Sequence, residues 1–132
     1  VLSDECDKYQ VETLMTAFLN RYHFEAPVYK TLYQKRRLMM MNHCPVNTAL
    51  KDGKRVNCGL CHSHRYELEG LDGKRVFLLG DKDCHMRLYD VNVTDEIQNR
   101  KEYESYGIKH FRFVFTDENV EEVKSAFRAY NR

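Results

Sequence analysis

The chain has 132 residues, 42% of them hydrophobic and 31% charged, with two prolines and six glycines. This is the make-up of one globular domain and excludes a disordered or collagenous chain. No apolar run approaches the roughly 18 residues of a membrane span, the longest candidate being Leu38–Met41, and no charged-then-apolar leader opens the sequence, so a soluble, cytoplasmic segment is expected. The 21 basic and 20 acidic residues sum to +1, which says nothing about partners, but their distribution is uneven. From Lys30 to Arg65 there are eight basic residues and one acid, Asp52, whereas residues 67 to 132 carry eleven basic and fourteen acidic. Such a run is ordinarily a solvated face; its alternative is a site for an anionic ligand such as phosphate or RNA.

In chain order, Val11, Leu14, Met15, Phe18, Leu19 and Tyr22 recur at helical spacing and predict a helix from Ser3 to Phe24 with one buried face, ended by Pro27. Val28 to Tyr33 alternates as a strand does, and Leu38–Met41 reads as a strand buried on both faces, its methionines filling a core. Over residues 1 to 41, a helix followed by a buried strand is α/β grammar. An opening that lacks methionine and enters a helix directly suggests a segment of a longer chain.

From Asn42 to Asp90 turn residues, cysteines and histidines are dense and no helical period survives. Asp52-Gly53 and Asp72-Gly73 each accept the positive φ of a type I′ turn, and the pentapeptide Asp-Gly-Lys-Arg-Val occurs at both places. Two hairpins are expected, the second pairing Tyr66-Glu67-Leu68 with Val76-Phe77-Leu78. Residues 91 to 132 form the closing segment. A polar helix is predicted from Thr94 to Gly107, then a strand from His110 to Phe115 with three phenylalanines on one face, then a helix whose apolar stripe is Val120, Val123, Phe127 and Tyr130. The fold class is α/β, more narrowly an α+β fragment.

Five cysteines are an odd number, which fits a reducing compartment better than a disulfide framework. Cys44, Cys58, Cys61 and Cys84 are separated by 13, 2 and 22 residues. The two-residue gap lets one tight turn aim two thiolates at a common point, and four such ligands complete a metal site. Zn2+ would sit there as a closed structural ion; a [4Fe–4S] cluster would take one thiolate per iron. Spacing alone leaves both open. Cys6, on the first helix, reads as a small core residue, and His43, His62, His64 and His85 as neighbours of the sulfurs more than as ligands. A cysteine nucleophile would need a histidine held against it, which adjacency in sequence does not provide. Glu67 with Glu69 and Asp81 with Asp83 are paired carboxylates of the ordinary solvated kind, and no serine elbow, phosphate loop or His-Glu-x-x-His motif is present.

The run Leu38-Met39-Met40-Met41-Asn42-His43-Cys44-Pro45-Val46, then Asn57-Cys58-Gly59-Leu60-Cys61, Tyr66-x-Leu68 and Asp81-x-x-Cys84-x-x-x-Leu88-Tyr89 together resemble the C-terminal portion of peptidase family U32, the collagenase-like proteases. The resemblance runs from about Pro27 to the end. It implies a bacterial or archaeal cytosolic protein whose main domain is a TIM-barrel-like fold, this chain being its last strands and helices plus a cysteine-rich hairpin extension. It further implies an upstream barrel domain as partner. Relatives in the family hold an iron–sulfur cluster and take part in oxygen-independent hydroxylation of RNA bases or quinone precursors. The family's signature lies upstream of this segment, so the fragment alone is expected to be inactive, with its catalytic residues elsewhere, and truncation would favour self-association. A rival from another class is a zinc-knuckle RNA-binding module presenting Lys51, Lys54, Arg55, Arg65, Lys74 and Arg75 to phosphates.

Overall fold

The computed structural model describes residues 1–22, 27–51 and 58–132, with His62 described in its backbone only. The chain divides into two units, one of Val1–Gln34 with Val93–Arg132 and one of Lys35–Asn92. The first hairpin expected, at Asp52-Gly53, and the helix end expected at Phe24 lie outside the described residues.

In the first unit, helix α1 spans Lys8–Tyr22. It starts later than the periodicity suggests because Asp7 and Gln10 cap it reciprocally: Gln10 N donates to Asp7 Oδ1 at 2.8 Å and Asp7 N to Gln10 Oε1 at 2.9 Å. Only Val11 and Met15 of its stripe are buried, while Leu14, Leu19 and Tyr22 stay exposed. Strand β1 runs Tyr29–Met41 without interruption. Strand β5, His110–Val114, lies parallel to it, with Tyr29 opposite His110 and Gln34 opposite Val114. Helix α5, Val120–Tyr130, begins at a capping box made by Asn119 and Glu122, so the expected strand–helix close is present. Val11, Met15, Leu32, Tyr33, Ile97, Tyr103, Ile108 and Ala126 form the core, with Cys6, Phe111, Phe113, Phe115 and Tyr130 packed against it.

Thr94 opens no helix. Strand β4 runs Met86–Asp95, a 3-10 turn follows at Ile97–Asn99, and helix α4 is only Arg100–Ser105. The β-branched alternation of Val91, Val93 and Thr94 carries the strand forward. The chain first turns at Asp95, whose Oδ1 accepts from Ile97 N at 3.0 Å. Gly107, with φ 89°, ends α4 as expected.

In the second unit, β2 (Tyr66–Glu69), β3 (Arg75–Gly80) and β4 form an antiparallel meander. The second hairpin has the expected register, Tyr66 opposite Leu78 and Leu68 opposite Val76, around a turn in which Gly73 adopts φ 76°. The strand order of the sheet is β2-β3-β4-β1-β5, with β1 and β4 contributing to both units, so the class is mixed α+β. Two expectations fail here. Leu38, Met39 and Met40 are not buried on both faces; Met39 and Met40 are 53% and 57% exposed, and only Met41 packs on the small core of Val46, Leu78 and Met86. Residues 42 to 90 are also not free of helix, since α2 spans Pro45–Lys51 and α3 spans Leu60–Ser63.

Candidate metal centre

Three short structures carry the four cysteines. Cys44 caps α2: its carbonyl accepts from Thr48 N at 3.1 Å and its Sγ from Asn47 N at 3.4 Å, the place where an Asp or Ser oxygen usually sits. Pro45 then occupies the first helical position, where a missing N–H costs nothing. The Cys-Pro pair is therefore a helix start with sulfur as the capping atom.

Cys58 and Cys61 flank Gly59, whose φ of 57° places it in the left-handed region just before α3. That reversal needs glycine. Cys84 sits in the turn between β3 and β4, itself at φ 62°, the one non-glycine among the described residues with a positive value. Asp81 organises this turn. Its Oδ1 accepts from Asp83 N and His85 N, each at 3.0 Å, while Cys84 N donates to the Asp81 carbonyl at 3.0 Å. A cysteine held in the left-handed region costs on the order of 1 kcal/mol, a strain that accumulates at functional positions.

All four cysteines are half-buried and none is disulfide-bonded. Electrostatics tie them together around Cys61. Burial pushes its thiol up first, followed by the charges of Cys44, Cys84 and Cys58. Cys58 moves the other way. A hydrogen bond from the Asn47 side chain leads in holding it below the usual thiol range, with the Leu60 backbone and the Lys51 charge adding to it.

Space is reserved for the Cys61 sulfur. A Cβ on Gly80, at the end of β3, would stand 2.9 Å from Cys61 Sγ and 3.0 Å from Met86 Sδ. The soft donor set and the clearance at Gly80 fit a thiolate-bound metal. Among the described residues, Asp81, Asp83 and His85 bring their ligand atoms within 4.8 Å of one another. The internal hydrogen bonds of the turn account for that acidic group.

The remaining candidates are placed as follows. His43 Nε2 bonds Thr48 Oγ1 at 3.0 Å, His64 Nδ1 bonds Ser63 Oγ at 2.8 Å, and His85 Nδ1 faces Asp81 Oδ2 at 3.3 Å; the His62 side chain lies outside the described residues. Among the basic residues, Arg65 and Arg75 both pair with Glu67, at 3.1 and 3.4 Å, and Lys74 pairs with Asp72 at 3.1 Å. Arg65 also lies 4.6 Å over the Phe77 ring. Lys54 and Arg55 are not described. The cations of the RNA-binding rival that can be seen on the hairpin are thus already matched by acids.

Sequence reasoning missed Asn47, Gly80 and Met86. The first could have been read from its place three residues after a capping position; the other two become visible only once β3 is laid against α3. Comparison with protein-family models, curated proteins and solved structures finds no match for the chain.

Proposed function

We propose that Cys44, Cys58, Cys61 and Cys84 hold a metal centre that orders residues 42 to 90, and that the chain is the C-terminal region of a U32-type peptidase-like protein. The observation that supports the metal site is the room left beside the Cys61 sulfur, where a Cβ on Gly80 would stand 2.9 Å from Sγ. The family reading rests on the ordered motifs of the sequence, and the parallel β1–β5 pair flanked by α1 and α5 agrees with the end of a larger α/β domain.

Of the two groups that four thiolates accept, the resemblance to a family whose relatives include iron–sulfur proteins favours a [4Fe–4S] cluster over zinc. This chain contributes the ligands, the hydrogen bonds that hold them and a half-buried setting. In this segment the role is structural, and the chemistry of the whole protein, whether peptide hydrolysis or cluster-dependent hydroxylation, belongs to the upstream domain.

The test is elemental analysis with an absorption spectrum of protein purified without oxygen. Iron and sulfide at about four per chain with a broad visible band are expected. One zinc per chain keeps the site and replaces the cluster, and no metal in protein with intact thiols overturns the reading. Replacing any one of the four cysteines by serine is expected to abolish metal retention and loosen residues 42 to 90, because bound metal contributes on the order of 10 kcal/mol to a site of this kind.

A further inference from the structure

We propose that residues 36 to 40, on the free edge of β1, are a docking strand for an extended peptide that carries two acidic residues beside three apolar ones. None of the four cysteines takes part.

β1 has two neighbours in the sheet, β4 and β5. β5 pairs with it only as far as Gln34, which lies opposite Val114. From there to Met41 the strand continues with its β5 side unpaired among the described residues. The backbone N–H and C=O groups that point to that side are a template for one more strand.

Side chains along this edge are bare. Residues 36 to 40 are five exposed positions in succession, so both faces of the strand are open. Leu38, Met39 and Met40 are the apolar part. Edge strands are ordinarily kept short, charged or covered, and three successive exposed apolar residues on one are the mark of a contact surface.

Charge identifies the occupant. Lys35 is buried, with Nζ 5.5 Å over the Phe77 ring, whereas Arg36 and Arg37 are exposed and pair with no acid among the described residues. An antiparallel strand laid on the edge sets its residues directly opposite those of β1. A polypeptide reading three apolar residues and then two acids thus meets Met40, Met39, Leu38, Arg37 and Arg36 in turn, and each guanidinium takes a carboxylate. A second copy fits less well. Antiparallel self-pairing centred on Leu38 brings the two Arg37 side chains to diagonal positions about 7–8 Å apart on one face, with no counter-charge. A nucleic acid would leave the backbone groups of the edge and its three apolar side chains unmatched.

The probe is a capped peptide of three valines followed by two glutamates, added to the isotope-labelled full chain, with a twin carrying lysine for glutamate as comparison. NMR shift changes and slowed amide exchange at residues 35 to 41 are expected with the glutamate peptide, and none with the lysine twin. Arg36→Glu combined with Arg37→Glu is expected to weaken the glutamate peptide roughly tenfold and to admit the lysine twin, since two attractive cross-strand pairs become repulsive. Should that variant fold poorly, Arg36→Gln with Arg37→Gln serves in its place, again with weaker binding of the glutamate peptide expected. No change at these amides with either peptide, or equal binding of both, overturns the proposal. So does protection of the same amides that grows with protein concentration in the absence of peptide, which assigns the edge to a second copy. Perturbation by a short single-stranded RNA that the glutamate peptide does not displace assigns it to nucleic acid and overturns the proposal as well.

Discussion

Lys30 and Glu96 form an ion pair inside the first unit, with Nζ 3.1 Å from Oε2 and the lysine side chain 3% exposed. Tyr103, fully buried, donates its hydroxyl to the same Oε2 at 2.6 Å, and the ammonium lies 5.1 Å over the Tyr103 ring. Burial, followed by the Glu96 hydrogen bond, drives the Tyr103 hydroxyl far above its ordinary range. Lys30 is the first residue of the basic run, yet it serves no solvated face and no anionic ligand. It is the neutralised centre of a packed core.

Glu96→Gln is therefore expected to destabilise the chain by about 3 kcal/mol, because it strands a buried ammonium. Lys30→Met combined with Glu96→Gln is expected to recover most of that loss, since the pair is removed together and an apolar stem replaces the charge. Urea denaturation of the two variants checks this, and equal stabilities for the single and double variants would refute the pairing. Tyr103→Phe should cost about 1.5 kcal/mol, the low end for one hydrogen bond to a charged acceptor.

Local chemistry made part of this fold legible. The β2–β3 register follows from an Asp-Gly turn between two apolar runs within fifteen residues, and α5 from its stripe. What failed depends on distant partners. The burial of Lys30 requires Glu96 and Tyr103, the exposure of Met39 and Met40 depends on what β1 lies against, and the length of β4 was decided by pairing where composition suggested a helix start. At the site, the sulfur atoms could be named from spacing, whereas Asn47 and Gly80 matter through geometry that no single stretch of sequence contains.

Gly80 gives a sharper test of the reserved space beside Cys61. Gly80→Ala places a methyl 2.9 Å from Cys61 Sγ, and overpacking of this kind costs roughly 1–3 kcal/mol. Reduced metal content per chain is expected along with the loss of stability. Gly73→Ala is the control: nothing lies within 4 Å of its added Cβ, but its φ of 76° disfavours alanine. It should cost about 1 kcal/mol through the backbone alone and leave metal content unchanged. Equal metal loss in both variants would assign the effect to the hairpin and remove the role given to Gly80.

Acid should act on the first unit through Glu102. Lys8 Nζ lies 2.6 Å from its Oε2 and the Tyr106 hydroxyl donates to its Oε1 at 2.9 Å, and these bonds, Lys8 foremost, hold its carboxyl below the usual range. A carboxylate depressed on folding stabilises fully above its unfolded value of about 4.3 and loses that contribution as pH falls through the folded value. Lys8→Met is expected to flatten the decline in melting temperature on the acid side of that range while changing little at neutral pH, where an exposed pair contributes little. A parallel decline in both proteins would show that the pair does not form in solution.

Cys84 separates backbone strain from ligation in one experiment. Its φ of 62° lies where glycine is at ease and a side chain is not. In metal-free, reduced protein, Cys84→Gly should be more stable than Cys84→Ala by about 1 kcal/mol, because only the glycine relieves the turn. In metal-loaded protein the order against wild type reverses: both variants lack the fourth thiolate, so both should fall well below wild type and lose the metal at lower chelator concentration. Urea denaturation with and without metal measures the two effects separately. If Cys84→Gly were the most stable protein in both conditions, the left-handed cysteine would be a tolerated turn residue, and the donor set would reduce to Cys44, Cys58 and Cys61.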